Sequence, residues 1–138
     1  MTLKIAVVGN TGMNIGAAVA GDMALGGHDV RFLLWPEQAE CLEACRAAGG
    51  VRIGEPASET VSRKTGLGEI DIITDDPSEA LVGADLVVVD ELQLNLEARA
   101  KDFIPHLENG QVLHVNMHGY WPGFRLADML REAGKEGV

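Results

Sequence analysis

Lys4-Ile5-Ala6-Val7-Val8-Gly9-Asn10-Thr11-Gly12-Met13-Asn14-Ile15-Gly16-Ala17-Ala18-Val19-Ala20 is the stretch whose reading decides the fold. An apolar run enters a glycine-rich turn, and the turn opens into small and apolar residues. A run apolar at every position reads as a strand covered on both faces. Glycines between such a strand and a helix have separate uses. Gly9 permits a tight turn, Gly12 lets a backbone approach a phosphate, and Gly16 with Ala17 and Ala20 lets the helix pack closely on the sheet. A helix N-terminus offers unpaired N–H groups and partial positive charge to an anion. The turn therefore needs no Lys or Arg, and it contains none.

The rest of the chain repeats the strand-then-helix rhythm. Leu3–Val8, Val30–Leu34, Ile70–Ile73, Leu86–Val89 and Val112–Val115 read as buried strands. Helical patterns lie between them. Ile15, Val19 and Met23 recur every four residues and stop at Gly26-Gly27. Glu37–Ala48 ends at Gly49-Gly50. Asp76 precedes Pro77, with Glu79 placed as in a capping box. Leu96, Ala100, Phe103 and Leu107 mark a helix with one buried face, and Leu126, Met129 and Leu130 mark a last helix closed by Gly134. Asn109-Gly110 is a turn. Gly54–Glu69 is polar and poor in pattern, either a loop or a pair of short strands. The alternation implies a Rossmann-type, doubly wound parallel sheet in a three-layer α/β/α domain spanning residues 1–138.

Bulk properties narrow the function classes. The 138 residues carry a net charge of −10, which disfavours nucleic acid as a partner. No apolar run approaches the ~20 residues that span a bilayer, so no membrane partner is expected and a cytoplasmic location is the default. The cysteines, Cys41 and Cys45, suit neither a disulfide framework nor a redox pair of the CxxC type, and no metal site is expected.

The glycine turn points to a dinucleotide. Its spacing is GxxGxxxG rather than GxGxxG, so the loop is longer than usual. Gly9, Asn10, Thr11, Gly12, Met13, Asn14, Ile15 and Gly16 form the expected cofactor-binding element, with side-chain hydrogen bonds from Asn10, Thr11 and Asn14. The alternative is a plain strand–turn–helix with small residues for packing. At the end of the second strand Leu34 and Trp35 stand where an acid would hold the ribose of NAD, and Arg31 lies inside the strand, so the residues favour neither NAD nor NADP. Trp35 either stacks on adenine or covers the rim of the sheet. Asp90 and Glu91, at the fourth strand end, either hold ribose hydroxyls, cap a helix or face solvent. Asn116 and His118 belong near the nicotinamide, with His118 as a weak candidate for proton transfer. His114 is expected inside its strand.

These stretches together resemble the N-terminal domain of the octopine/nopaline (opine) dehydrogenase family. The resemblance runs through Lys4–Val8 and its glycines, Ala20–Val30, Ala47–Gly50, Thr74–Leu81, Gly83–Val89, Pro105–Val112 and Asn116. It implies an NAD(P)-dependent oxidoreductase that reduces the imine formed from an amino acid and a 2-oxo acid. It also implies a second, helical domain carrying the catalytic His–Asp pair, which falls beyond Val138, so no family catalytic residue maps onto this chain. Asp90-Glu91 stands where the family usually has a Pro after the fourth strand, and Met117–Trp121 stands in place of a Gly-rich loop.

Two readings follow. The chain is a cofactor-binding domain or subunit, inactive without a second domain or chain. Alternatively it is a stand-alone Rossmann module that binds a nucleotide or a protein partner without catalysis. Chemistry at His118 and Asp90/Glu91 is a third, weaker reading. A nucleotide-binding domain without its second domain exposes apolar surface, so either a separate catalytic chain or a homodimer is expected. Multi-angle light scattering on the purified chain should give the mass of a dimer. A monomer mass at all concentrations would contradict this.

Overall fold

Five strands form one parallel sheet in the computed structural model, which describes residues 1–55, 59–116 and 119–138. They are β1 (Lys4–Val8), β2 (Asp29–Leu33), β5 (Ile72–Thr74), β6 (Leu86–Val89) and β7 (Val112–Val115), in the spatial order β5-β2-β1-β6-β7. Every pairing in this sheet is parallel. The chain leaves β1 toward β2 on one side and later returns to β6 on the other. The order reverses between β1 and β6, where doubly wound sheets open a crevice beyond their carboxyl ends.

The all-apolar strands are explained by two separate cores. Side chains alternate across a strand, so Ile5 and Val7 enter one core while Ala6 and Val8 enter the other. The first core is closed by α1 (Ile15–Leu25) and α2 (Ala39–Ala48), the second by α3 (Pro77–Leu81), α4 (Gln93–Phe103) and α5 (Pro122–Glu132). Leu96, Ala100, Phe103 and Leu107 are buried as their spacing requires, as are Leu126, Met129 and Leu130. Asp76 caps α3 by accepting the Ser78 N–H at 2.8 Å.

Helix α1 differs from its expected orientation. Its buried face is Gly16, Ala17, Ala20 and Gly21, while Ile15 is exposed and Val19 and Met23 are only partly buried. Backbone-close packing won over the larger side chains. Gly21 faces a small antiparallel hairpin of β3 (Gly50–Ile53) and β4 (Gly66–Glu69). The Gly54–Glu69 region thus supplies one strand, and its partner lies earlier, where Gly49-Gly50 reads as a helix stop. Gly49 does end α2 at φ 73°, and Gly50 opens β3.

Two strand expectations need correction. The strand placed at Ile70–Ile73 begins at Ile72, because Ile70 is held by its N–H donating to the Gly49 carbonyl beside the hairpin. His114 is exposed, not buried, since β7 is an edge strand on which only Leu113 and Val115 pack against the second core.

Gly21 and Gly68 meet backbone to backbone. A Cβ on Gly68 would lie 2.3 Å from the Gly21 carbonyl oxygen. Gly68→Ala should therefore cost about 1–3 kcal/mol through overpacking, read as a lower denaturant midpoint at constant slope. An unchanged midpoint would show that the hairpin does not depend on this contact.

Candidate functional site

The crevice over β1 and β6 is about 340 Å³ and is lined by Thr11, Gly12, Met13, Ile15, Asp90, Glu91, Leu92, Gln93 and Asn116. That lies within the range of small-molecule sites, roughly 300–1,000 Å³. A larger depression of about 570 Å³ lies elsewhere, lined by Arg46, Gly49, Glu69, Asp71 and neighbours. It sits at the entrance to β5 rather than at the carboxyl ends of the strands, and the switch-point rule favours the smaller crevice.

The glycine turn is built from close backbone approaches. Gly9 has φ 85°, and a Cβ there would lie 2.4 Å from the Asp90 carbonyl oxygen. A Cβ on Gly16 would lie 2.0 Å from the Gly9 carbonyl oxygen, so Gly16 packs on the turn itself rather than on the sheet. Gly12 is different: a Cβ there would meet nothing within 4 Å. Gly9 and Gly16 shape the turn, and Gly12 leaves room above it. Asn14 caps α1 at φ 58°, a left-handed conformation that Asn tolerates better than most side chains.

Polar groups of the turn are mostly spent inside the protein. Asn10 Oδ1 accepts the Ala17 N–H at 3.0 Å, and its Nδ2 donates to Asn14 Oδ1 at 3.1 Å. Gln38 Nε2 donates to the Asn10 carbonyl at 2.6 Å while its Oε1 accepts the Trp35 N–H at 2.9 Å. The Asn10 side chain thus satisfies the protein, while Asn14 stays exposed with its Oδ1 on Asn10. The amides of Gly12, Met13 and Ile15 make no hydrogen bond to the described residues. Together with the Asn10 amide, these donors are what the turn has left for an anion among the described residues, and the Gly12 amide stands beside open space.

Asp90 occupies the centre of this arrangement. It is 2% exposed. Its Oδ2 accepts the Gly16 N–H at 2.7 Å, the Thr11 N–H at 2.9 Å and the Thr11 hydroxyl at 3.1 Å. It caps α1 from across the sheet. Glu91, beyond the end of β6, has different partners. Its Oε1 accepts the Leu92 N–H at 2.8 Å and the Asn95 side-chain amide at 3.3 Å, at the start of α4. Both carboxylates sit at helix N-termini, where the dipole favours negative charge. Arg99 stands 3.5 Å from Glu91, is paired with Glu37, and lies over the Trp35 ring at 4.7 Å from its centroid.

Trp35 must be corrected. Its ring is 3% exposed and belongs to the second core, with the Arg99 guanidinium over it, so it offers no face for adenine. Asn116 lines the crevice, its N–H donating to the Val89 carbonyl at 2.8 Å. His118 lies outside the described residues. Cys41 and Cys45 stand on α2 with sulfurs 4.0 Å apart. Burial, and then the adjacent Cys41, push the Cys45 thiol up to about 11, so it is a poor nucleophile at neutral pH. Gln38 and Arg99 are the residues sequence reasoning missed. The spacing of Gln38 three residues after Trp35 was the only local signal for either.

The same architecture occurs in solved structures. Octopine dehydrogenase with NADH and L-arginine superposes at a TM-score of 0.73 and 22% identity, covering 94% of this chain and 32% of that one. The chain has a Rossmann-type α/β fold shared with these dehydrogenases. Yersinopine dehydrogenase with NADP+ bound gives 0.68 at 18% identity, over 99% of this chain and 33% of that one. A 2-dehydropantoate 2-reductase from Porphyromonas gingivalis gives 0.67 at 22% identity, over 94% and 43%. The chain spans about a third of the length of the opine dehydrogenases it matches. No protein-family model matches the sequence, and no curated protein matches it by sequence.

Arg99 is the cation nearest the buried Glu91, and removing it strands a carboxylate. Arg99→Met should cost about 1–3 kcal/mol, discounted from a fully buried pair because the arginine is partly exposed. Glu91→Gln in the same chain should recover part of that loss. Equal stability of the wild type and Arg99→Met would show that the pair is idle.

Proposed function

We propose that this chain is the NAD(P)-binding domain or subunit of an opine-dehydrogenase-like oxidoreductase. The observation that carries the reading is the set of donors left by the turn: the Gly12, Met13 and Ile15 amides, grouped at the N-terminus of α1 beside the open space at Gly12. A pyrophosphate fits such a cradle without any Lys or Arg. The bound nicotinamide cofactor would supply a hydride, and this chain would hold it with its reactive end toward Asn116 and the segment that follows. Octopine dehydrogenase with NADH and yersinopine dehydrogenase with NADP+ are among the solved structures that share the fold, which supports the reading. The strand-two end does not choose between the two cofactors.

Reduction of an imine is then the reaction class, with the substrate held by a further domain, a separate chain or a second copy. The exposed Leu94, Tyr120, Trp121 and Phe124 supply apolar surface for such a neighbour. Among the described residues no helix is long and apolar enough to cross a membrane, and a cytoplasmic location suits the two unpaired thiols.

A second reading, a non-catalytic Rossmann module, is favoured by one feature. The crevice is lined by two carboxylates, and no cation is among its described lining residues. Fluorescence titration with NADH and NADPH separates the two. We expect saturable binding of at least one, abolished by Gly12→Leu, a substitution at a position lining the crevice where a Cβ meets nothing within 4 Å. Absence of binding by both cofactors would exclude the first reading for this chain. Unchanged affinity in Gly12→Leu would show that the turn is not the phosphate site.

A further inference from the structure

The position a bound phosphate would compete for already holds an anion. Asp90 Oδ2 takes two main-chain N–H groups, those of Thr11 and Gly16, and the Thr11 hydroxyl. These donors belong to the same turn and helix N-terminus that leave Gly12, Met13 and Ile15 free. The carboxylate therefore lies next to main-chain donors on which a pyrophosphate can sit. No described Lys or Arg lines the crevice to offset it, because Arg99 is engaged by Glu37 and Glu91. The turn is also short of acceptors underneath. The Trp35 indole nitrogen, in a residue 3% exposed, has no hydrogen-bond partner among the described residues and lies 3.3 Å from where a Cβ on Gly9 would stand.

Resting on the cofactor reading above, we propose that Asp90 is a built-in anion of the glycine turn. It holds the turn in its binding shape and opposes the diphosphate bridge of the cofactor, so the charge at position 90 sets how tightly a dinucleotide is held. The two effects have separate origins. The shape comes from hydrogen bonds, which a neutral amide oxygen also accepts. The opposition comes from charge, which an amide lacks. Two like charges a few ångströms apart near a protein surface repel each other, and salt screens this only in part. Removing one is therefore expected to tighten dinucleotide binding about tenfold, since 1.4 kcal/mol is a factor of ten.

Two variants separate these effects. Asp90→Asn keeps an acceptor for the Thr11 and Gly16 amides and removes the charge. Asp90→Ala removes the acceptor and leaves both amides open to an outside anion. NADH affinity is measured by fluorescence titration for the wild type and Asp90→Asn. Melting temperature is measured for the wild type and Asp90→Ala with and without sodium pyrophosphate, at constant ionic strength. The expected results are an NADH Kd about tenfold lower in Asp90→Asn and a pyrophosphate-dependent rise in melting temperature that is larger in Asp90→Ala than in the wild type. A residue that only supports the fold would lower the melting temperature in both variants, with neither ligand effect. Equal or weaker NADH binding by Asp90→Asn overturns the proposal while leaving the cofactor reading intact. Stabilisation of Asp90→Ala by pyrophosphate, with no NADH binding by any form, keeps the built-in anion and overturns the cofactor reading instead. Should Asp90→Ala fail to fold, the NADH comparison with Asp90→Asn decides alone.

Discussion

A single buried carboxylate joins the parts of this domain that matter for function. Asp90, at the end of β6, reaches across to β1's glycine turn and to the first turn of α1. The two central strands are adjacent in the sheet, so the hydrogen bonds tie the strand order to the shape of the crevice. Buried charges are costly unless hydrogen-bonded. Here main-chain amides and a helix dipole meet that demand in place of a cation. These hydrogen bonds link the turn, its strand and its helix.

Glu91 performs the matching task on the other side of the sheet. Two consecutive carboxylates just past β6 thus serve α1 and α4 in turn. Arg99 then links Glu91 to Glu37 and lies over Trp35. The second strand end, where nucleotide-binding sheets commonly place an acid for ribose, is occupied by a buried indole with a guanidinium on top.

The fold was legible because its signals are local. Apolar runs such as Val30–Leu34 and Leu86–Val89, and glycines between a strand and a helix, carry their meaning within a few residues. The site was legible only in part. The turn could be located, but its hydrogen bonds to Asp90 span 79 and 74 residues, and no spacing rule reports a contact of that separation. The face of α1 was misplaced because periodicity weights large side chains, whereas the packing there is decided by Gly16, Ala17, Ala20 and Gly21. The first hairpin strand was hidden because Gly49-Gly50 serves as a helix end and a strand start at once. Trp35 illustrates the same limit: a residue at a strand end reads as rim, and only tertiary packing buried it.

The account depends on the crevice amides being the seat of a cofactor. Backbone amide NMR shifts on titration with NADH and NADPH test this most directly, because each donor reports separately. The expected result is saturating shifts centred on Gly12, Met13 and Ile15, extending to Asn116, for at least one cofactor. Shifts confined to other surfaces, or none at all with the fold intact, would contradict it.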